Sequence, residues 1–247
     1  MSDSLVIIPT YNEKENIEKM IRKVSSLSVP FHVLIVDDGS PDGTADIVKN
    51  LQKEFSGKLF IEERKGKQGL GTAYLHGFKW GLAKKYEFIF EMDADFSHQP
   101  EDLIRLREAC IKGAEVAVGS RYVRGGKVEN WPMGRIMMSY LASVYVRWVL
   151  WIGIKDTTAG FKCYRRKVLQ AINFDKIKFM GYAFQIEMKY TTLQLGFKVV
   201  EVPITFRDRV EGVSKMSMGI FKEAFWGVLQ MKFRKVERKK QALISIR

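Results

Sequence analysis

The spacing of apolar residues changes several times along the first hundred positions. Leu5 to Ile8 is an unbroken apolar run stopped by Pro9, and it predicts a strand. Ile17, Met20, Ile21 and Val24 then recur at helical spacing. The polar stretch before them offers Asn12 as a helix cap with Glu15 three residues on. Val33 to Val36 predicts a second strand, and Ala45 to Leu51 a helix carrying Ile47, Val48 and Leu51 on one face. Leu59 to Glu62 reads as a third strand. Gly66, Gly69 and Gly71 mark a loop, and Thr72 to Ala83 a helix. Phe88 to Phe90 is a fourth strand that ends at Met-Asp-Ala-Asp. Short apolar strands alternating with amphipathic helices predict an α/β fold, a mostly parallel central sheet with helices on both faces.

One later stretch is different. Ile136 to Ile154 is a run of 19 residues interrupted only by Arg147. A membrane-spanning helix needs about 20 mostly apolar residues, so the segment is marginal for that role. It fits either an interfacial helix with Trp148 and Trp151 at headgroup depth or an aromatic-rich core helix.

Composition narrows the choice of partners. Forty-one Lys and Arg against 28 Asp and Glu leave a formal charge of +13, which attracts anions of every kind. Residues 231–247 carry seven Lys or Arg and one acid, a basic tail suited to lipid headgroups or to plain solvation. Two cysteines, Cys110 and Cys163, exclude a zinc finger and read as buried thiols in a reducing compartment. No basic-aromatic strand of the RNA-binding type is present, and the acidic clusters oppose a phosphate backbone, so nucleic acid is not an expected partner. The first residues lack the basic start and cleavage site of a signal peptide.

The candidate chemistry sits where strands end. Ligands of open α/β sheets bind beyond the carboxyl ends of the strands. Tyr11, Asn12 and Glu13 follow the first strand, Asp37 and Asp38 the second, Asp93 and Asp95 the fourth. Asp93 and Asp95, with Ala94 between them, can meet one hard cation through oxygen ligands, and a diphosphate can complete the shell. The Gly66–Gly71 stretch matches neither the dinucleotide fingerprint nor the phosphate loop of the kinases. Its glycines permit a tight loop at a helix N-terminus, where a phosphate can also rest. Arg121 and Arg135 can each offer a fork of donors to phosphate oxygens, and Gly212 is a possible hinge in the polar 205–215 stretch.

Taken together, nine blocks resemble a family-2 glycosyltransferase of the GT-A fold, most closely the dolichol-phosphate (polyprenol-phosphate) mannose synthase group. They are VIIPTYNEKENI at 6–17, VDDGSPDGT at 36–44, GLGTAYLHGF at 69–78 and FEMDADFSHQPED at 90–102. VGSRYVRGG at 118–126, the run from Trp131 to Ser139, DTTAGFKCYRR at 156–166, GYAFQIEM at 181–188 and PITFRDRVEGVSKM at 203–216 complete the set.

The resemblance implies a Rossmann-like GT-A domain over 1–230, with an amphipathic acceptor-facing region at 131–154 and a lid at 205–216. It implies that Pro9, Tyr11, Glu13 and Asp38 hold the nucleotide, and that Asp93, Ala94 and Asp95 sit at the diphosphate. Asp93, Asp95 and Ser97 would hold Mg²⁺ or Mn²⁺. Ser97 stands where some members use glutamine, which makes it a weaker ligand. Arg121, Arg135 and Ser139 would grip an acceptor phosphate, while Arg207 and Lys215 would close on the donor diphosphate. Asp156 is placed near the sugar and acceptor, holding hydroxyls or orienting Arg121. Gln185 and Glu187 would complete the sugar pocket or the acidic rim.

The implied reaction is inverting transfer of mannose from GDP-mannose to a polyprenyl or dolichyl phosphate. UDP-glucose as donor, with a glycan or another polyprenyl phosphate as acceptor, is the alternative within the same class, and a noncatalytic nucleotide-binding scaffold is the remote one. A phosphate nucleophile is already ionised, so the scarcity of histidines (His32, His76 and His98) is no obstacle. Many members carry C-terminal membrane helices, whereas this chain resembles the short forms. Those work at the cytoplasmic face of a membrane, peripherally or with a membrane-anchoring subunit.

Overall fold

The computed structural model describes residues 2–208, 218–236, 238 and 239, and the side chains of 218–224 are left aside. The predicted strands and helices of the first half are all present: β1 (Ser4–Thr10), α1 (Ile17–Ser25), β2 (His32–Asp37), α2 (Thr44–Glu54), β3 (Leu59–Glu63), α3 (Leu70–Ala83) and β4 (Phe88–Glu91). The chain continues through α4 (Asp102–Ile111), β5 (Val116–Ser120), β6 (Lys127–Glu129), α5 (Met133–Leu150), β7 (Lys162–Arg165) and α6 (Arg166–Ala171). It then forms α7 (Ala183–Gln194), β8 (Val199–Pro203), β9 (Thr205–Arg207) and α8 (Met218–Phe233).

The main sheet has seven strands in the order β3-β2-β1-β4-β7-β5-β8. Only β7 runs against its neighbours, β4 and β5. The sheet is therefore mostly parallel, as the apolar spacing predicts. Successive residues of a strand serve opposite faces. Val6 and Ile8 of β1 enter one core with α1 and α4, while Leu5 and Ile7 enter a second core with α3 and α7. Two covered faces explain why these strands read as unbroken apolar runs. Cys110 and Cys163 lie buried as free thiols.

The start of α1 departs from expectation. Asn12 does not cap it. Asn12 lies in the left-handed region at φ 56°, and its N–H donates to Ser40 Oγ at 3.0 Å. The helix begins at Ile17, and the Glu13 carbonyl accepts from the N–H groups of Asn16 and Ile17. The reason is tertiary. Ser40, Asp42 and Thr44 of the next loop accept from the backbone N–H groups of Asn12, Lys14 and Glu13, which holds 12–14 out of the helix.

The third core joins α5, α7 and α8 and carries Val146, Leu150, Ile186 and Val228. Only one side of α5 is used, so the reading of 136–154 as a core helix holds for that side alone. Met137, Met138, Leu141, Trp148 (78% exposed) and Trp151 (84% exposed) face outward. No helix among the described residues is long and apolar enough to cross a membrane. The expected boundary at 230/231 falls inside α8, and Arg238 packs back on the domain through its side chain, which donates to the Leu195 carbonyl at 2.8 Å. The basic tail beyond 239 lies outside the described residues.

Candidate active site

The loops after β1, β2 and β4 meet at one rim because their strands are adjacent and parallel. They border a cavity of about 380 Å³. Pro9, Tyr11, Glu13, Asp38, Asp93, Ala94, Asp95 and Ser97 all line it. So do Arg121 after β5 and Arg135 on α5, which sequence alone could not place beside the carboxylates.

The second strand contributes two unlike acids. Asp37 is fully buried and structural: it accepts from the Thr10 hydroxyl and from the N–H and hydroxyl of Ser40. Asp38 faces the cavity and accepts from Arg64 Nε at 2.7 Å. Arg64 was not anticipated, since a lone arginine at the end of a strand carries no motif. The glycine loop also has a different use. The Gly71 N–H donates to the Met180 carbonyl at 2.8 Å, and a Cβ on Gly71 would lie 2.8 Å from the Phe184 ring. These glycines bring α3 against the start of α7, and the Gly71 donor is engaged there rather than offered to a phosphate.

The Asp-Ala-Asp turn is tightly shaped. Asp95 Oδ1 accepts from the Ser97 N–H at 3.1 Å, and Phe96 between them takes φ 58°. The buried Tyr74 hydroxyl donates to Asp93 Oδ1 at 3.3 Å. Among the described residues Ser97 Oγ and His98 Nδ1 are buried without a hydrogen-bond partner, and His98 Nδ1 lies 3.9 Å from Asp93 Oδ2. Burial pushes the His98 imidazolium down to about 4, Asp95 opposing and Arg121 assisting. His98 stacks on Phe161 and is neutral at pH 7.

The residues fit a hard divalent cation. Two carboxylates and an orphaned hydroxyl offer oxygen donors on one turn. Among the described residues there is no group of three or more His, Cys, Asp or Glu able to hold an ion alone. Such a partial shell suits a cation shared with the oxygens of a diphosphate.

At the other wall Arg121 is almost fully buried. Its N–H, Nε and Nη2 donate to Asp156 at 2.9, 2.7 and 2.6 Å, and Nη2 also reaches Thr158 Oγ1 at 2.8 Å. Rings of Tyr122, Trp131 and Phe206 surround its guanidinium at 5.1–5.6 Å. Burial disfavours the cation, but Asp156 more than offsets this and holds Arg121 above the ordinary arginine range. Conversely, burial would raise Asp156, and Arg121 pulls it below the usual carboxylate range. Nη1 has no protein partner among the described residues.

Asp156 is fully buried, is not part of the cavity lining and is hydrogen-bonded to Arg121. Arg135 lies 4.0 Å from the Trp131 ring and donates to Asp208 at 3.1 Å. Trp131 and Asp208 belong to the site as well, and they stand inside the 131–139 and 203–216 motifs.

Ser139 and Arg207 do not line the cavity. Ser139 sits one turn beyond Arg135, half-buried beside Tyr122. Arg207 donates to Glu129 at 2.9 Å and faces a neighbouring groove. Strand alternation explains it: Phe206 points inward, so Arg207 points away. Lys215, with the rest of the 209–217 part of the lid, lies outside the described residues. Gln185 lines the cavity, whereas Glu187 does not. Glu187 accepts from the N–H groups of Lys178 and Phe179 and pairs with Arg234, fastening α8 to α7.

Comparison with known proteins agrees with this geometry. The model of the family described as glycosyl transferase family 2 matches residues 5–172. A polyprenol monophosphomannose synthase from Mycolicibacterium smegmatis is 48% identical over 230 residues, covering 91% of this chain and 87% of the relative. An undecaprenyl-phosphate mannosyltransferase from Micrococcus luteus is 46% identical, covering 91% and 93%. Among solved structures, glucosyl-3-phosphoglycerate synthase from Mycobacterium tuberculosis, in complex with Mn²⁺, UDP and glucosyl-3-phosphoglycerate, superposes with TM-score 0.64 at 18% identity, covering 92% of this chain and 77% of that one. A Pyrobaculum calidifontis mannosyltransferase in complex with GDP-Man and Mn²⁺ superposes with TM-score 0.58 at 14% identity, covering 93% and 69%. These two likenesses establish the α/β GT-A architecture.

Proposed function

This chain belongs to glycosyltransferase family 2, and from that membership we propose that it transfers mannose from GDP-mannose to a polyprenyl phosphate with inversion. The observation that carries the reading is the pairing of opposite charges across one cavity, Asp93 and Asp95 on one wall and Arg121 and Arg135 on the other. Pro9, Tyr11, Glu13 and Asp38 border the nucleotide end. Asp93, Asp95 and Ser97 would hold Mg²⁺ or Mn²⁺, which neutralises charge on the departing diphosphate.

Arg121 presents Nη1 to an acceptor phosphate, kept in place by Asp156 and three aromatic rings. Arg135 adds a second guanidinium, and α5 leads from it to an apolar surface for the lipid tail. The phosphate oxygen attacks the anomeric carbon, the bond to the diphosphate breaks, and the electron pair leaves with GDP. The attacking oxygen is already anionic, so no general base is needed. Neutral, buried His98 shapes the turn instead.

The membrane reading rests on α5 and α8. Tyr145 stacks on Phe225 at 4.8 Å and donates to its carbonyl at 3.0 Å, so the two helices share one apolar platform. Trp148, Trp151, Trp226 and Phe233 project from it, and Lys232 lies 4.3 Å from the Trp151 ring. Aromatic side chains beside lysines suit the headgroup region of an anionic bilayer.

The test supplies GDP-mannose or UDP-glucose, radiolabelled and separately, with Mn²⁺ or Mg²⁺ and a short polyprenyl phosphate. Lipid label from GDP-mannose alone, lost in Asp95→Ala, is the expected result. Label from UDP-glucose alone would replace the donor. No lipid label from either, with folded protein, would overturn the acceptor.

A further inference from the structure

A cluster of buried charge lies directly under the cavity, and the transfer chemistry described above does not use it. Lys162 on β7 and Glu91 on β4 are both fully buried, with Nζ 3.2 Å from Oε2. Burying such a pair carries a large desolvation penalty and seldom adds net stability. The pair has a third member. Lys162 Nζ also donates to Oε1 of Gln185 on α7.

That contact sets the direction of the Gln185 amide. An ammonium group has donors only, so the amide atom facing it is the oxygen. The Nε2 donors must then point the other way, toward Gly160, where a Cβ would stand 3.5 Å from Nε2. Gly160 and Gln185 both line the cavity. Gln185 is 4% exposed, and among the described residues the hydrogen bond made by its amide is the one Oε1 accepts from Lys162. An amide that lines a cavity with its Nε2 donors turned away from Lys162 is available to a ligand that accepts from it.

Its position indicates which part of the ligand that is. Lys162 lies within electrostatic reach of Asp93, at the diphosphate end. Lys189, one helical turn beyond Gln185, donates to the Ala159 carbonyl at 2.6 Å and lies within reach of Asp156 and Arg121, at the acceptor end. Gln185 therefore stands between the two phosphate-binding regions, where a transferring sugar must pass. A neutral amide there suits a neutral hydroxyl.

We infer that the Gln185 amide donates to a hydroxyl oxygen of the transferred sugar, and that Lys162 and Glu91 are positioning residues that lock the amide in the donating orientation. This rests on the sugar-transfer reading above and assigns the contact that selects the sugar.

The experiment measures kcat/KM with GDP-mannose and with a set of monodeoxy-mannose donors, alongside the Kd of GDP, which has no sugar. The wild-type enzyme should transfer one deoxy sugar at least tenfold less efficiently than mannose. In Gln185→Ala and the isosteric Gln185→Glu, mannose and that deoxy sugar should be transferred with equal, reduced efficiency, while GDP binds within twofold of wild type. The paired variant Lys162→Met/Glu91→Gln should behave alike and add little to Gln185→Ala.

Three results would overturn the inference: undiminished mannose transfer in the Gln185 variants, GDP affinity falling in parallel with transfer, or no deoxy sugar penalised by the wild-type enzyme. Wild-type transfer from GDP-mannose is scored first and tests the mannosyl reading by itself. The variants and deoxy sugars test only the amide.

Discussion

At the scale of single residues, the site is governed by burial of charge. Asp156 accepts three hydrogen bonds from Arg121 in a space closed to water. Asp156→Ala should leave an uncompensated buried guanidinium and cost about 3–5 kcal/mol in urea unfolding. Asp156→Asn should cost less, and both should reduce transfer by loosening Arg121. His98 makes a separate prediction. Its folded value of about 4 lies below the ordinary imidazole value of about 6.5. Between those values the unfolded chain binds a proton that the folded chain refuses, so stability falls as pH drops from 6.5 to 4. The loss should reach on the order of 3 kcal/mol, read by urea unfolding in metal-free buffer. His98→Gln should flatten that part of the profile.

Legibility at this scale divides along the same line. Asp93, Asp95, Arg121 and Arg135 could be selected from the chain because charged residues in motifs advertise ligands. Arg64 and Asp208 could not, because their roles come from neighbours distant in sequence. Arg64 reaches back 26 residues to Asp38, and Asp208 reaches back 73 to Arg135. Arg207 was assigned to the cavity by resemblance, and the alternation of β9 turns it to Glu129 instead.

At the scale of elements, packing distance decides. α3 lies so close to β1 that a Cβ on Gly77 would stand 2.6 Å from Ile7 Cγ2. Ile7 is fully buried, and its branched side chain has few alternative rotamers. Gly77→Ala should therefore destabilise the domain by about 1–3 kcal/mol despite the better helix propensity of alanine. Thermal unfolding followed by circular dichroism checks it, with a fall in Tm as the expected sign. Element boundaries were less legible than the elements themselves. The apolar period marks the body of α1, but its start is set by Ser40, Asp42 and Thr44 of another loop. In the same way α3 begins at Leu70 rather than Thr72, held by the Met180 carbonyl.

At the scale of the whole molecule, α5 links the two regions, since Arg135 near its start lines the cavity and its later turns form the platform with α8. If that face meets lipid, Trp148→Ser combined with Trp226→Ser should weaken sedimentation with anionic vesicles by about tenfold or more while the circular dichroism spectrum stays unchanged. Added salt should weaken wild-type binding as well, since Lys232 contributes by charge. Equal vesicle binding by wild type and variant would remove the platform from the membrane reading.

The amino-acid sequence alone determined the alternating α/β layout, because burial on both faces demands unbroken apolar strands and 3.6-residue helix spacing. It also determined the acidic rim, because adjacent parallel strands place their following loops side by side. Tertiary structure decided the rest. The insertion of β7 against the direction of β4 and β5 rests on hydrogen-bond pairing that no local pattern encodes. Pairing across the fold brought Arg121 to Asp156 and Lys162 to both Glu91 and Gln185. The physical reason is range. Periodicity records which side of its own element a residue occupies, whereas a binding site is made by side chains whose separation is fixed only when distant elements pack.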